Sequence, residues 1–223
     1  MPPVKINVNR RFPMPDTMGL DKYTVILFIL RWIHFIAGIT WIGHLYFFNF
    51  VNGPFAKTMD ADTKKKVVPQ LMPRALWWFR WAAMVTFISG WIYIFGKLHL
   101  NGAGLTGTGG LFTSTWGQWI SLGALLGSIM WFNVWFIIWP SQKKLITWIK
   151  KGEAAAEAAA ITKRAFLASR LNTYLSVPML FCMGAASHFP SFDLVTVIAM
   201  LAVGFGLVWV LVNQVAPKAG ANF

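Results

Sequence analysis

What the chain lacks narrows its class first. Acidic residues are scarce, seven Asp and Glu against twenty Lys and Arg, and none lies in the interior of a long apolar run. A proton relay or cation path built on intramembrane carboxylates therefore has no candidates. The single cysteine, Cys182, excludes an intrachain disulfide and any CxxCH, hence a haem attached through thioethers. No stretch alternates polar and apolar residues over about ten positions, as a barrel strand would. The N-terminus, "MPPVKINVNRRFPMPDTMGLDK", has neither the apolar core nor the small-residue cleavage site of a secretory signal. Insertion is expected to be directed by the first spanning helix.

What is present is oil. The chain is 57% hydrophobic and 12% charged, with 13 Trp, 19 Phe and a mean hydropathy of +0.56. That is far from the quarter-charged composition of soluble domains and is the composition of an integral membrane protein. Long apolar runs cover roughly 23–51, 76–98, 117–139, 165–187 and 192–214, each long enough to cross a hydrocarbon core. Lipid offers no partner to a bare backbone, so the runs are expected to be helices. The predicted architecture is all-α, a five-span membrane domain over 23–215 between an N-terminal tail, 1–22, and a C-terminal tail, 216–223.

The net charge of +13 does not point to nucleic acid, because the cations gather between the spans. "KTMDADTKKKVVPQLMPR" and "PSQKKLITWIKKGEAAAEAAAITKR" are basic, whereas "NGAGLTGTGGLFTSTWGQ" carries no charge. The positive-inside rule then puts the two basic loops and the C-terminus in the cytoplasm and the N-terminus outside. In the third loop, Leu145, Ile146, Trp148 and Ile149 interleaved with lysines predict a helix lying on the inner membrane face; a charged helical linker is the plainer alternative. Arg80 and Arg170 are expected to snorkel inward, and Asn133 to bond across helices.

Histidines carry the functional reading. With the first run entering near Arg31 and Trp32, His34 lies about one turn below the outer surface, and His188, closing the fourth run, reaches a similar level. Gly38 lies one turn deeper than His34, and Gly184 and Ala185 one turn deeper than His188. Each imidazole thus overlooks a notch without bulk, the arrangement a flat macrocycle between two helices requires, and Arg31 supplies a cation for propionates at the aqueous edge. The expected site is a bis-histidine haem b, with His34 and His188 as iron ligands and Arg31, Gly38 and Gly184 around it. The competing reading gives these small residues and histidines to helix packing alone. His44, about 15 Å deeper than His34, is assigned to packing or a polar network.

Three blocks, "RWIHFIAGITWIGHLYFFNFVNGPF", "IMWFNVWFIIWPSQKK" and "KRAFLASRLNTYLSVPMLFCMGAASHFP", resemble the N-terminal membrane domain of the bacterial membrane-bound, cytochrome c-coupled urate oxidase family, from Arg31 to Pro190. The resemblance implies a multi-pass protein of the bacterial inner membrane. In longer members this module precedes a periplasmic c-type cytochrome that accepts electrons during urate hydroxylation. This sequence has no CxxCH and reads as a short form, so a separate cytochrome c on the outer side is the expected partner. Three functions stay open: a haem b redox module passing electrons from urate or a related reductant to that cytochrome; a non-catalytic scaffold of a respiratory complex or a transporter component; and copper handling. Whether the chain forms homo- or hetero-oligomers is not legible.

Overall fold

The computed structural model describes residues 21–153 and 155–220, so all but the end of the predicted N-terminal tail lies outside the described residues. Among these residues there is no strand. Five helical rods form the architecture: α1 (Lys22–Thr58), α2 (Ala61–Leu100), α3 (Thr115–Lys151), α4 (Ala158–His188) and α5 (Leu194–Val215). The starts of α1, α2, α3 and α5 follow from side chains that supply an acceptor to otherwise unpaired N–H groups, whereas α4 begins at Ala158 without one. Asp21 accepts from Thr24 N at 3.3 Å, Asp60 from Asp62 N and Thr63 N at 2.9 and 2.8 Å, Ser114 from Gly117 N at 3.0 Å, and Asp193 from Thr196 N at 2.9 Å.

Four of the rods, α1, α2, α3 and α5, are long and apolar enough to cross a membrane. The fourth predicted span lies on α4, which has the length, 31 residues, but carries Lys163, Arg164, Arg170, Asn172, Thr173 and Ser176. Side chains outside the core are those expected in lipid: Ile39 is 74% and Val195 77% exposed, with no water-facing pattern around them.

Two predicted loops are helix. The first basic segment forms the opening turns of α2, capped by Asp60 and passing through Pro69 and Pro73, and the rod reaches 40 residues. At 1.5 Å per residue it is about 60 Å long, twice a hydrocarbon core. Likewise the helix expected in the third loop around Leu145, Ile146, Trp148 and Ile149 is the last part of α3, which runs beyond Pro140 until Gly152, whose φ of +69° ends it as glycine readily does. Ile146 is buried against the neighbouring rods there, which is why the segment stands on the bundle as its extension. At the opposite end the Gly-rich loop closes on itself, Leu111 N donating to Gly104 O at 3.2 Å and Phe112 N to Leu105 O at 3.0 Å.

Packing is pairwise. α1 lies along α2, α3 along α4, and α5 on α4. The pairs are joined by polar residues on one stretch of α4. Asn133 Nδ2 donates to Asn172 Oδ1 at 2.8 Å, and Asn172 Nδ2 donates to Met130 O at 2.9 Å. From α1, Asn49 Nδ2 donates to Ser169 Oγ at 2.9 Å, and the Tyr46 and Ser176 hydroxyls lie 3.0 Å apart. Asn49 and Asn133 both sit in π-helical turns, Phe47–Asn52 and Asn133–Ile138. Such a turn inserts an extra residue into the ladder and re-aims the side chains that follow.

Two outcomes follow from this architecture. Asn172→Leu strands the Asn133 amide and removes one of two bonds to the Met130 carbonyl, which keeps the Asn133 backbone N–H, and is expected to cost about 1–2 kcal/mol. Denaturant unfolding in detergent measures it, and Asn133→Leu added to Asn172→Leu should recover part of the loss because both amides then leave together. Separately, the backbone N–H and then the hydroxyl of Thr196 hold the Asp193 carboxyl below its ordinary value. Its contribution to stability is present above the unfolded-state value and is lost as pH falls through the depressed folded one. The gap in melting temperature between the protein and Asp193→Ala should therefore be full at neutral pH and close on acidification.

Candidate functional site

His34 sits half-buried on α1 and is turned onto α2. Its Nδ1 lies 2.9 Å from the Thr86 carbonyl oxygen. A carbonyl only accepts, so Nδ1 carries the proton and the lone pair belongs to Nε2. The ring is seated on Gly90: a Cβ at that position would stand 2.9 Å from His34 Cε1, closer than side chains tolerate. Ser89, whose hydroxyl donates to Val85 O at 2.6 Å, completes the cradle. An imidazole held through one nitrogen by a backbone carbonyl, with the other nitrogen unprotonated, is the arrangement found in histidines that ligate metals.

Arg31 and Gly38 belong to the same seam. The Arg31 guanidinium hydrogen-bonds the Tyr93 hydroxyl and lies over that ring, 4.9 Å from its centroid. Gly38 faces α2, with the Thr86 methyl 3.9 Å from where its Cβ would be, so the notch beside His34 is filled by α2. His188 and Gly184 stand elsewhere, exposed at the end of α4, and Gly184 has open space where its Cβ would project. The contact between Tyr46 and Ser176 relates the two groups in depth: His34 lies about three turns beyond Tyr46, and His188 about three turns beyond Ser176. By residue count the two histidines stand equally far along their helices from that contact, while α2 holds one ring and the exposed end of α4 carries the other.

The remaining predicted polar residues resolve individually. His44 Nδ1 donates within its own helix to Thr40 O at 2.8 Å, and the ring lies near Phe48. His99 is exposed at the end of α2. Arg80 does not reach free solvent with its whole head: it is half-buried among Trp81, Trp135 and Trp139, with Trp139 3.9 Å away, and its Nε has no partner. Trp119 and Trp41 are buried, and Trp119 Nε1 donates to Ser191 O at 2.9 Å, which binds the tight α4–α5 turn to α3. Among the described residues no group of three or more His, Cys, Asp or Glu is placed to hold a metal. Sequence reasoning missed Thr86, Ser89 and Gly90, although the small residues of "TFISGW" inside an otherwise bulky span were the available signal.

Residues 108–216, about half of the chain, match the family model described as urate oxidase N-terminal. The match takes in α3, α4 and α5, and with them Gly184 and His188, as well as the second and third resembling blocks; the first block, with His34, lies ahead of it. No curated protein and no solved structure matches the chain.

Replacing Gly90 by alanine is expected to push the imidazole off its seat and break the bond to Thr86, at about 1–3 kcal/mol of overpacking. Gly184→Ala should be close to neutral, since nothing occupies that space. Thermal unfolding of the two variants in the same detergent makes the comparison, and equal losses would contradict the cradle.

Proposed function

Starting from a membrane protein whose residues 108–216 are of the urate oxidase N-terminal family, we propose that the chain is a redox module of a bacterial inner membrane, binding haem b and passing electrons from urate or a related reductant to a separate c-type cytochrome. The observation that carries the reading is the carbonyl-locked His34, whose Nε2 is left as a donor to iron. His188, at a similar level on α4, is the opposing ligand in this proposal. The fit is chemical for both histidines. Nothing lies within 4 Å of a Cβ at Gly184, whereas the Thr86 methyl stands 3.9 Å from one at Gly38. A haem here would therefore lie toward α4 and Gly184, with Arg31 as the nearest seam cation to its polar edge. Bound haem supplies one-electron storage, and the chain's own residues set its ligation, its burial and the charge around it. The basic ends of the rods face the cytoplasm in this reading, which leaves His34 and His188 toward the side where a periplasmic cytochrome docks.

A second reading has its own support. The same bond to Thr86 and the same fit to Gly90 make His34 a clamp between α1 and α2, as a scaffold subunit would need. Optical spectra separate the two. Protein purified after haem-replete expression should show the Soret and α bands of haem b when reduced, lost in His34→Ala and lost or converted to a high-spin form in His188→Ala. Colourless protein free of iron overturns the redox reading. A His34→Ala variant that loses stability while the wild type has no pigment is the scaffold result.

A further inference from the structure

On the side of the bundle away from the histidines, α3 and α4 leave an open groove of about 470 Å³. Its trough is apolar, formed by Ile137 on α3 and by Leu167, Ala168 and Leu171 on α4, and Asn133 closes the deep end. At its mouth stand Lys163 and Arg164, both exposed. Among the described residues neither has a carboxylate within ion-pair distance, and the ion pair present joins Lys151 to Glu153, at 3.5 Å. The residues follow helix spacing, so the two cations lie about one turn beyond Leu167 toward the basic end of the bundle. Leu167 and Leu171 remain 55% and 47% exposed, which leaves the trough without a protein partner.

We propose that this groove binds an anionic glycerophospholipid, its phosphate held by Lys163 and Arg164 and an acyl chain lying along Ile137, Leu167 and Leu171. Three features select that occupant. The trough is flanked by α3, one of the rods apolar enough to cross a membrane, so within this proposal it meets acyl chains and not water. Its charged end coincides with the level at which the apolar stretch of α4 stops, where headgroups lie. Two unpaired cations at one end of an apolar channel complement a single negative headgroup and repel none. A zwitterionic lipid offers the same chains but cancels part of the attraction with its own cation. Free phosphate offers the charge without the chains. A second protein helix would need an acidic residue opposite the cations and would cover the groove in a dimer.

Native mass spectrometry of the full chain in a mild detergent tests this, with phosphatidylglycerol and phosphatidylcholine added in parallel. Phosphatidylglycerol is expected to bind the more tightly, and Lys163→Gln with Arg164→Gln should weaken it roughly tenfold or more, toward the phosphatidylcholine level. The charge-matched Lys143→Gln with Lys144→Gln should retain the preference. Ala160→Trp, an exposed position at the groove mouth, should reduce binding of both lipids without changing charge, with the melting temperature of lipid-free protein unaltered. Equal binding of the two lipids, an unchanged preference in the Lys163/Arg164 variant, displacement of the lipid by inorganic phosphate, or a dimer that Ala160→Trp dissolves would each overturn the proposal.

Discussion

The polar stretch of α4 from Ser169 to Ser176 is the constraint on which the bundle depends. Inside a membrane, apolar side chains gain little by leaving lipid for one another, so association must come from close packing and from bonds that lipid cannot replace. Asn172 and Ser176 are fully buried and both are bonded, one to α3 and the other to Tyr46 of α1. α2 also meets α3 directly, Phe87 stacking on Trp131 with ring centroids 4.2 Å apart, but the buried polar bonds that tie α1 and α3 into one bundle all end on α4. The two π turns serve this arrangement, since each presents an asparagine to the same helix from a different neighbour.

The candidate site inherits that geometry. α1 is held twice, by α4 near Tyr46 and Asn49 and by α2 through His34 and Arg31. The imidazole is therefore placed by two independent interfaces, which favours a fixed ring over a mobile one, whether the ring serves iron or the bundle. At the basic end, the three tryptophans around Arg80 replace water with aromatic faces, which retain a cation where no carboxylate is at hand.

Much of the fold was legible from composition and run length. Apolar runs located every rod, and Asn133 read correctly as a bond between helices, because an amide in a greasy span has few other fates. The cytosol-like look of "KTMDADTKKKVVPQ" concealed the first turns of α2; charge and two prolines outweighed the Asp60–Thr63 cap that announces the helix. Leu145–Ile149 announced a helix that is there, but not that it continues α3 with Ile146 buried, since periodicity reports an apolar face and not what covers it. For the site, depth and small residues could be read along one chain, whereas the carbonyl of Thr86 and the seat at Gly90 exist only once two helices meet.

α4 joins a polar core to a length suited to crossing lipid, and that combination bears on how the protein is made. A segment with Lys163, Arg164, Arg170 and Asn172 partitions poorly into hydrocarbon by itself, since each cation or amide must first surrender its hydration. α3 emerges from the ribosome ahead of it and already displays Asn133 and the Met130 carbonyl. Biogenesis thus acquires an order: the earlier helix acts as a receptor for the later one, and a lesion in α3 surfaces as a topology defect in its successor before any loss of chemistry.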